Sequence, residues 1–213
     1  MKVLKHNNLK LIYSALIMGF VLTLTIQGLS LSETCNNIKD SVLRLHIVAN
    51  SDSQADQNLK IKVRDRLLKE GKLYLGNAEN ESEALTFASK NLPLLQKAAQ
   101  EEIEENGYNY CVNVSLGQAW FNTREYDDVT LPAGEYEALK VVIGEGKGKN
   151  WWCVMFPPMC VSAAEEVASD SGPLTELLND DEEDLVMNGQ KYRVKFKSVE
   201  VYESIKEKVK KWF

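Results

Sequence analysis

Histidine is nearly missing from this 213-residue chain. There are two, and His6 falls within the first ten residues, so His46 alone is available to a folded domain after them. That shortage removes most general acid–base chemistry and most imidazole-ligated metal sites. Four cysteines occur, but no CxxC pair and no HExxH, so neither a zinc site nor a reactive dithiol is spelled out. No metal and no cofactor are expected. There is no excess of positive charge either: 25 basic residues face 31 acidic ones. Nucleic-acid binding needs a basic face, so that class is excluded. A phosphate-cradling Walker loop is absent as well, because Gly144 is followed five positions later by Lys149 and then by a strand-like segment rather than a helix. No small-molecule substrate is expected.

What the chain does have begins at its start. Lys2, Lys5 and Lys10 come with no acid, and the run from Leu11 to Leu31 carries no charge. As a helix that run spans about 30 Å, the thickness of a bilayer core. Residues 1–10 therefore read as a basic cytoplasmic n-region and 11–31 as a signal peptide or a membrane anchor, with the rest of the chain on the far side. Both readings stay open: the run is long for a signal peptide and lacks a clear A-x-A site. Ser32-Glu33-Thr34 before Cys35 does not suit a lipoprotein signal. Beyond the leader the balance becomes 22 basic against 31 acidic residues. Two acidic blocks, one within Glu101 to Glu105 and one at Asp180 to Asp184, are expected to be solvated surface, since neither has the alternating spacing of a calcium loop.

The remainder reads as one α+β domain with a mainly antiparallel sheet of about four to five strands packed with helices. Leu43 to Ala49 alternates apolar and polar residues like a half-buried strand, with Arg44 and His46 on its polar side. Asn50-Ser51-Asp52-Ser53 caps a helix from about Gln54 to Glu70, with Gly71 as its stop. Asn80 and Glu83 have capping-box spacing at the head of a second helix that runs to Gly107, and Pro93 predicts a kink or break near Asn91. The periodicity then becomes two, with Tyr110, Val112, Val114 and Leu116 on one side of a strand. A Trp120-Phe121 pair and an acidic turn at Tyr126-Asp127-Asp128 follow. Glu135 to Ile143 and Asn150 to Phe156 read as further strands, joined as a hairpin by the glycine loop Gly144 to Lys149. Tyr192 to Lys197 is a candidate fifth strand and Glu200 to Phe213 a closing helix.

In the segment Asn150 to Cys160, two of the four tryptophans and two of the four cysteines fall close together. Cys153 and Cys160 flank a Pro-Pro turn, and in an oxidising compartment they would close a disulfide; a reduced, buried pair is the alternative. Trp151 and Trp152 must point to opposite faces of their strand, so the expectation is one buried and one exposed, the exposed one a protein-binding anchor.

Several of these segments together carry a resemblance. Leu45-His46-Ile47-Val48-Ala49-Asn50-Ser51-Asp52-Ser53, Asp56-Gln57, Leu59-Lys60, Val63-Arg64-Asp65, Leu131-Pro132-Ala133-Gly134-Glu135-Tyr136, Gly148-Lys149-Asn150-Trp151-Trp152-Cys153 and Phe156-Pro157-Pro158 with Cys160 resemble the stage II sporulation protein R family. The resemblance marks 40–162 as the core sporulation-signal domain and 163–213 as a variable C-terminal extension. It implies a protein that is exported from the forespore into the space between the forespore and mother-cell membranes. There it would activate a membrane-embedded aspartic protease, which removes the pro-segment of the early mother-cell sigma factor. It also implies a ligand rather than an enzyme. The expected partner-binding surface joins His46, Asn50 and Asp52 to Gln57, Lys60 and Arg64 on one helix face, with Asp56 and Lys60 at ion-pair spacing, and to Asn150, Trp151 and Trp152. The same polar residues would alternatively form an internal network tying strand to helix. Two other classes are weighed against the ligand: an envelope hydrolase, which would need His46 beside a nucleophile or carboxylate, and a thiol oxidoreductase, which would need the missing CxxC.

Overall fold

The computed structural model describes residues 2–75, 77–126, 129–159, 172–189, 191–192, 196–202 and 205. The chain divides into two compact units, Met1–Asn37 and Ile38–Phe213. In the first, α1 (Lys2–Lys39) carries the uncharged run, with large apolar side chains such as Leu16, Met18 and Phe20 turned outward. Among the described residues it is one helix long and apolar enough to cross a membrane, a test that a signal sequence near a chain start also passes.

The second unit is α+β. Its sheet has the order β2-β5-β1-β6, built from β1 (Leu43–Val48), β2 (Val112–Phe121), β5 (Gly134–Ile143) and β6 (Asn150–Phe156). β1 runs parallel to β5 and antiparallel to β6, and β2 runs antiparallel to β5. The expected β5–β6 hairpin is therefore not formed. β1 lies between the two strands, and the glycine loop passes around its end instead of turning back directly.

Helices α2 (Gln54–Leu75) and α3 (Glu81–Glu105) cover one face of the sheet. Leu59, Val63 and Leu67 of α2 and Leu95, Ala99 and Ile103 of α3 meet Leu43, Leu45 and Ile47 of β1 and Leu139 and Val141 of β5 in one apolar core. Each such side chain, once fully buried, contributes about 2 kcal/mol. Ser53 caps α2, its hydroxyl accepting from Asp56 N at 3.1 Å and its carbonyl from Gln57 N at 3.0 Å. Asn80 caps α3 by accepting from Glu83 N, while Glu83 reaches back to Glu79 N, one residue before the cap.

The expected stop at Gly71 does not occur, and no break occurs at Pro93. α2 runs through Gly71 to Leu75, because this glycine answers to packing: a Cβ there would lie 2.6 Å from Met155 Cε. α3 continues through Pro93, and Asn91 bonds Phe87 O with its side-chain amide at 2.9 Å. The acidic block is also reassigned. After the short α4 (Gly172–Thr175), Asp180 to Asp184 opens α5 (Asp180–Met187), whose N-cap Asn179 forms a capping box with Glu182. Acids in a first turn complement the helix dipole, and Glu182 is buried rather than solvated. Of the expected fifth strand, Tyr192 lies in a turn and Phe196 and Lys197 are helical, while residues 193–195 are outside the described residues.

The other face of the sheet corrects the half-buried reading of β1, all six residues of which are buried. A small sheet of β3 (Arg124–Tyr126) and β4 (Val129–Leu131) pairs antiparallel, and α5 packs on β4. Asp127 and Asp128 of the expected acidic turn are outside the described residues. Arg44, fully buried, is enclosed on this side by aromatic rings: its guanidinium lies 4.1 Å from the Phe121 centroid, 4.7 Å from Tyr136 and 5.4 Å from Tyr126. Its Nε donates to Cys153 O at 3.1 Å and its Nη2 to the Tyr126 hydroxyl at 2.5 Å. No carboxylate among the described residues pairs with it, so ring quadrupoles and two neutral acceptors hold the charge. A lysine keeps the charge but loses the planar stack and the fork of donors. Arg44→Lys is expected to destabilise the domain by about 2 kcal/mol, against less than about 0.5 kcal/mol for Arg124→Lys at an exposed position. Urea unfolding midpoints of the two variants decide it, and equal midpoints would refute the cage as a stabilising element.

Candidate functional site

The sequence-expected residues come together where β1 ends. As β1 leaves the sheet its backbone is held by the glycine loop: Ala49 O accepts from Gly148 N at 2.9 Å, Asn50 O from Lys147 N at 3.1 Å, and Lys149 O from Ala49 N at 3.5 Å. Side chains repeat the stitching. Asn50 Oδ1 accepts from Glu145 N at 2.9 Å, and Asp52 Oδ1 from Lys149 N at 2.7 Å. The start of α2 closes the arrangement. Gln57 Nε2 donates to Ser51 O at 2.8 Å, and Lys60 Nζ donates to Gln57 Oε1 at 2.6 Å and to Lys149 O at 3.1 Å. Asp56 accepts from Asn50 Nδ2 at 2.9 Å and Ser51 Oγ at 2.5 Å.

Asn50, Asp52, Gln57 and Lys60 are thus brought into one clasp, but much of it is internal. Lys60 and Asp56 are 4% exposed, and the expected Asp56–Lys60 pair does not form because each is already engaged elsewhere. What faces outward is the rim: Asp52, Glu145, Lys147, Lys149 and Asn150. Sequence reasoning passed over Gly148 and Lys149 as partners in this clasp, although the run of glycines before Asn150 was the signal that a backbone had to come close.

The remaining expected residues lie on the two faces of β6. Trp152 stacks on His46, with centroids 3.9 Å apart and planes 7° from parallel, and meets Phe121 edge-on at 4.8 Å. His46 Nε2 is 2.8 Å from Asn150 Oδ1. On the helix-bearing face, Arg64 lies 4.5 Å from the Trp151 ring centroid and donates to Asp65 through Nε at 2.8 Å and Nη2 at 2.6 Å. The expectation of one buried and one exposed tryptophan is corrected: both are half-buried, because both faces of the strand are covered. The partner of His46 is an amide, not a nucleophile or carboxylate. Cys153 is buried, Cys35 and Cys111 are in no disulfide, and the expected Cys153–Cys160 pairing lies outside the described residues through Cys160. Among the described residues no group of three or more His, Cys, Asp and Glu side chains is placed to hold a metal ion.

Burial shapes the electrostatics. It pushes the Lys60 ammonium below its ordinary range, partly offset by Asp52. Burial would raise the Asp56 carboxyl, but hydrogen bonds from Ser51 and Asn50 outweigh it and hold the group below the usual carboxylate range. Burial also lowers His46, opposed by the Asn150 hydrogen bond and assisted by the Lys140 charge. A histidine held below 6.5 binds its proton more readily when unfolded, so His46 costs stability as pH falls below about 6.5. Glu81, at the head of α3, acts in the opposite sense. Burial, then Glu137 and Asp40, push it up to about 7, so its penalty disappears toward acid pH.

Two predictions result. The stability gap between the parent chain and His46→Gln should be widest near pH 7.5 and narrow toward pH 5 as the parent loses the neutral imidazole; a pH-independent gap in urea unfolding contradicts the assignment. A Cβ on Gly148 would lie 2.3 Å from the backbone oxygen of Ser51, whereas one on Gly117 meets nothing within 4 Å. Gly148→Ala should therefore cost about 2 kcal/mol or more, while Gly117→Ala should not lower the unfolding midpoint appreciably.

The family model for stage II sporulation protein R matches residues 39–166, which include the whole clasp, both tryptophans and β6. A curated relative, stage II sporulation protein R of Bacillus subtilis (strain 168), is 41% identical over 123 residues, covering 58% of this chain and 55% of that protein. The chain thus spans about half the length of the curated relative it matches. No solved structure matches it. With more than half of its length matched by the family model, the chain belongs to the stage II sporulation protein R family.

Proposed function

We propose that this chain is an intercompartmental signal of endospore formation. It is exported across the forespore membrane into the intermembrane space and activates a membrane-embedded aspartic protease of the mother cell. That protease then removes the pro-segment of the early mother-cell sigma factor. The observation that carries the reading is the family match across 39–166. The apolar α1, which suits a signal or anchor segment, adds to it. In that compartment Cys153 and Cys160 would be oxidised to a disulfide.

The clasp gives the signal a rigid contact surface. Asp52 and Asn150 touch the protease directly, together with Lys147 and Lys149 beside them. Asn50, Gln57 and Lys60 fix the loop from beneath, as His46, Arg64, Trp151 and Trp152 fix β6. Such prior ordering lowers the entropic cost of association. Here the chemistry of the polar residues is spent on holding shape, which suits a ligand better than an envelope hydrolase.

The test is reconstitution of the full chain with the protease in membranes, scoring cleavage of the pro-sigma factor. The chain should stimulate cleavage, and Lys147→Glu combined with Lys149→Glu should reduce stimulation by about tenfold or more, the scale of losing charged contacts at an interface, with an unchanged unfolding midpoint. No stimulation by the parent chain would overturn the signalling reading. Normal stimulation by the double variant would overturn only the assignment of the contact surface.

A further inference from the structure

In the sheet order β2-β5-β1-β6, β2 has a strand on one side only. Its ladder with β5 starts beside the bond from Gly144 N to Cys111 O, at 2.8 Å, and runs without a shift of register to Phe121 and Gly134. Bonded positions alternate in an antiparallel ladder, so Val112, Val114, Leu116, Gln118 and Trp120 turn their N–H and C=O groups away from β5. Helix α3 meets the first two amides: Val112 N donates to Gln100 Oε1 at 3.1 Å and Val114 N to Gln96 Oε1 at 3.2 Å. One turn further along α3 the same spacing brings Leu92, whose side chain has no polar atom to offer. The outward backbone groups of Leu116, Gln118 and Trp120 therefore have no partner among the described residues.

End strands are commonly guarded against further pairing by a charge, a proline, a bulge or a short span. β2 has 10 residues with no charge, no proline and no shift of register. Gly117, in its middle, is exposed, and a Cβ there would meet nothing within 4 Å. Nothing among the described residues calls for a glycine at that position. In a strand interior, a glycine marks a place where another backbone comes close.

We propose that β2 pairs with β2 of a second copy, antiparallel about a two-fold axis through Gln118. In this register Leu116 faces the partner's Trp120 on the helix-bearing side of the sheet, and Gln118 faces the partner's Gln118. Each of these pairs exchanges both N–H···O bonds, which satisfies the groups that α3 leaves unmet. Between them Gly117 faces the partner's Ala119 at a non-bonded position, where Cα atoms approach to about 4.5 Å and small residues fit. Leu116 and Trp120 are half-buried, so each has surface left to cover the other. The segment is its own complement, which is the condition for an isologous dimer. A foreign strand is recognised through charges or pockets beside the edge, and this edge offers no charge. The chain as a whole is acidic, and two copies repel least along a seam that carries none. The seam is short, so the dimer is reversible. It uses none of the clasp residues and does not depend on the proposed protease contact.

The experiment is sedimentation velocity of the full chain in detergent over a range of concentrations. The samples are the parent, Gln118→Lys, Gln118→Glu and an equimolar mixture of the two variants. The Gln118 side chain is exposed, so both variants should keep the parent's unfolding midpoint. The parent should dimerise as its concentration rises. Each variant alone sets like charges opposite one another at the axis and should raise the dimer dissociation constant by about fivefold or more. The mixture sets lysine against glutamate and should return the constant toward the parent's value. A parent that stays monomeric throughout overturns the proposal and leaves the edge to an extended segment of another protein. An unchanged constant in both variants overturns it too, because the contact then lies elsewhere, α1 included. Loss in both variants without recovery in the mixture also overturns it, since pairing through Gln118 restores opposite charges. Should a variant unfold, the parent decides: hydrogen exchange of the Leu116, Gln118 and Trp120 amides must slow as concentration rises for the proposal to stand.

Discussion

Everything else in the domain follows from the position of β1, a strand buried on both faces between a parallel and an antiparallel neighbour. A central strand has no solvent to receive its polar side chains, so each must find a partner inside. Arg44 finds three rings, the Cys153 carbonyl and a tyrosine hydroxyl; His46 finds the Trp152 face and the Asn150 amide. When the strand ends, Asn50 has to satisfy a loop crossing directly over it, which it does through both backbone and side chain. The aromatic cage and the clasp are two outcomes of one constraint, namely that β5 and β6 are joined across β1 rather than beside it.

That constraint also explains which parts of the fold were legible from sequence. Local signals read well. The Ser53 and Asn80 caps, the stripe Leu59, Val63, Leu67 and the span of β6 are set by neighbours a few residues apart, and periodicity and capping chemistry report these directly. Arg44 and His46 were misread because alternation reports only the polarity of a side chain; what covers it comes from Phe121, Tyr126, Tyr136 and Trp152, scattered along the chain. The hairpin between β5 and β6 was the simplest link for a short glycine loop, and nothing within residues 134–156 could announce that a strand ninety positions earlier would take the place between them. Gly71 was misread for the same reason, since the atom that demands a glycine there belongs to Met155.

The candidate site was legible in membership more than in role. Asn50, Asp52, Gln57 and Lys60 do meet, yet the buried ones act as struts. Their spacing on a helix face identified a shared direction, and burial of that face against the 144–149 loop followed from topology that no local pattern holds. A buried lysine bonded to a carbonyl and an amide, beside an aspartate holding two other donors, is costly to assemble and rigid once made. The benefit of that cost is a loop whose outward residues keep a fixed spacing.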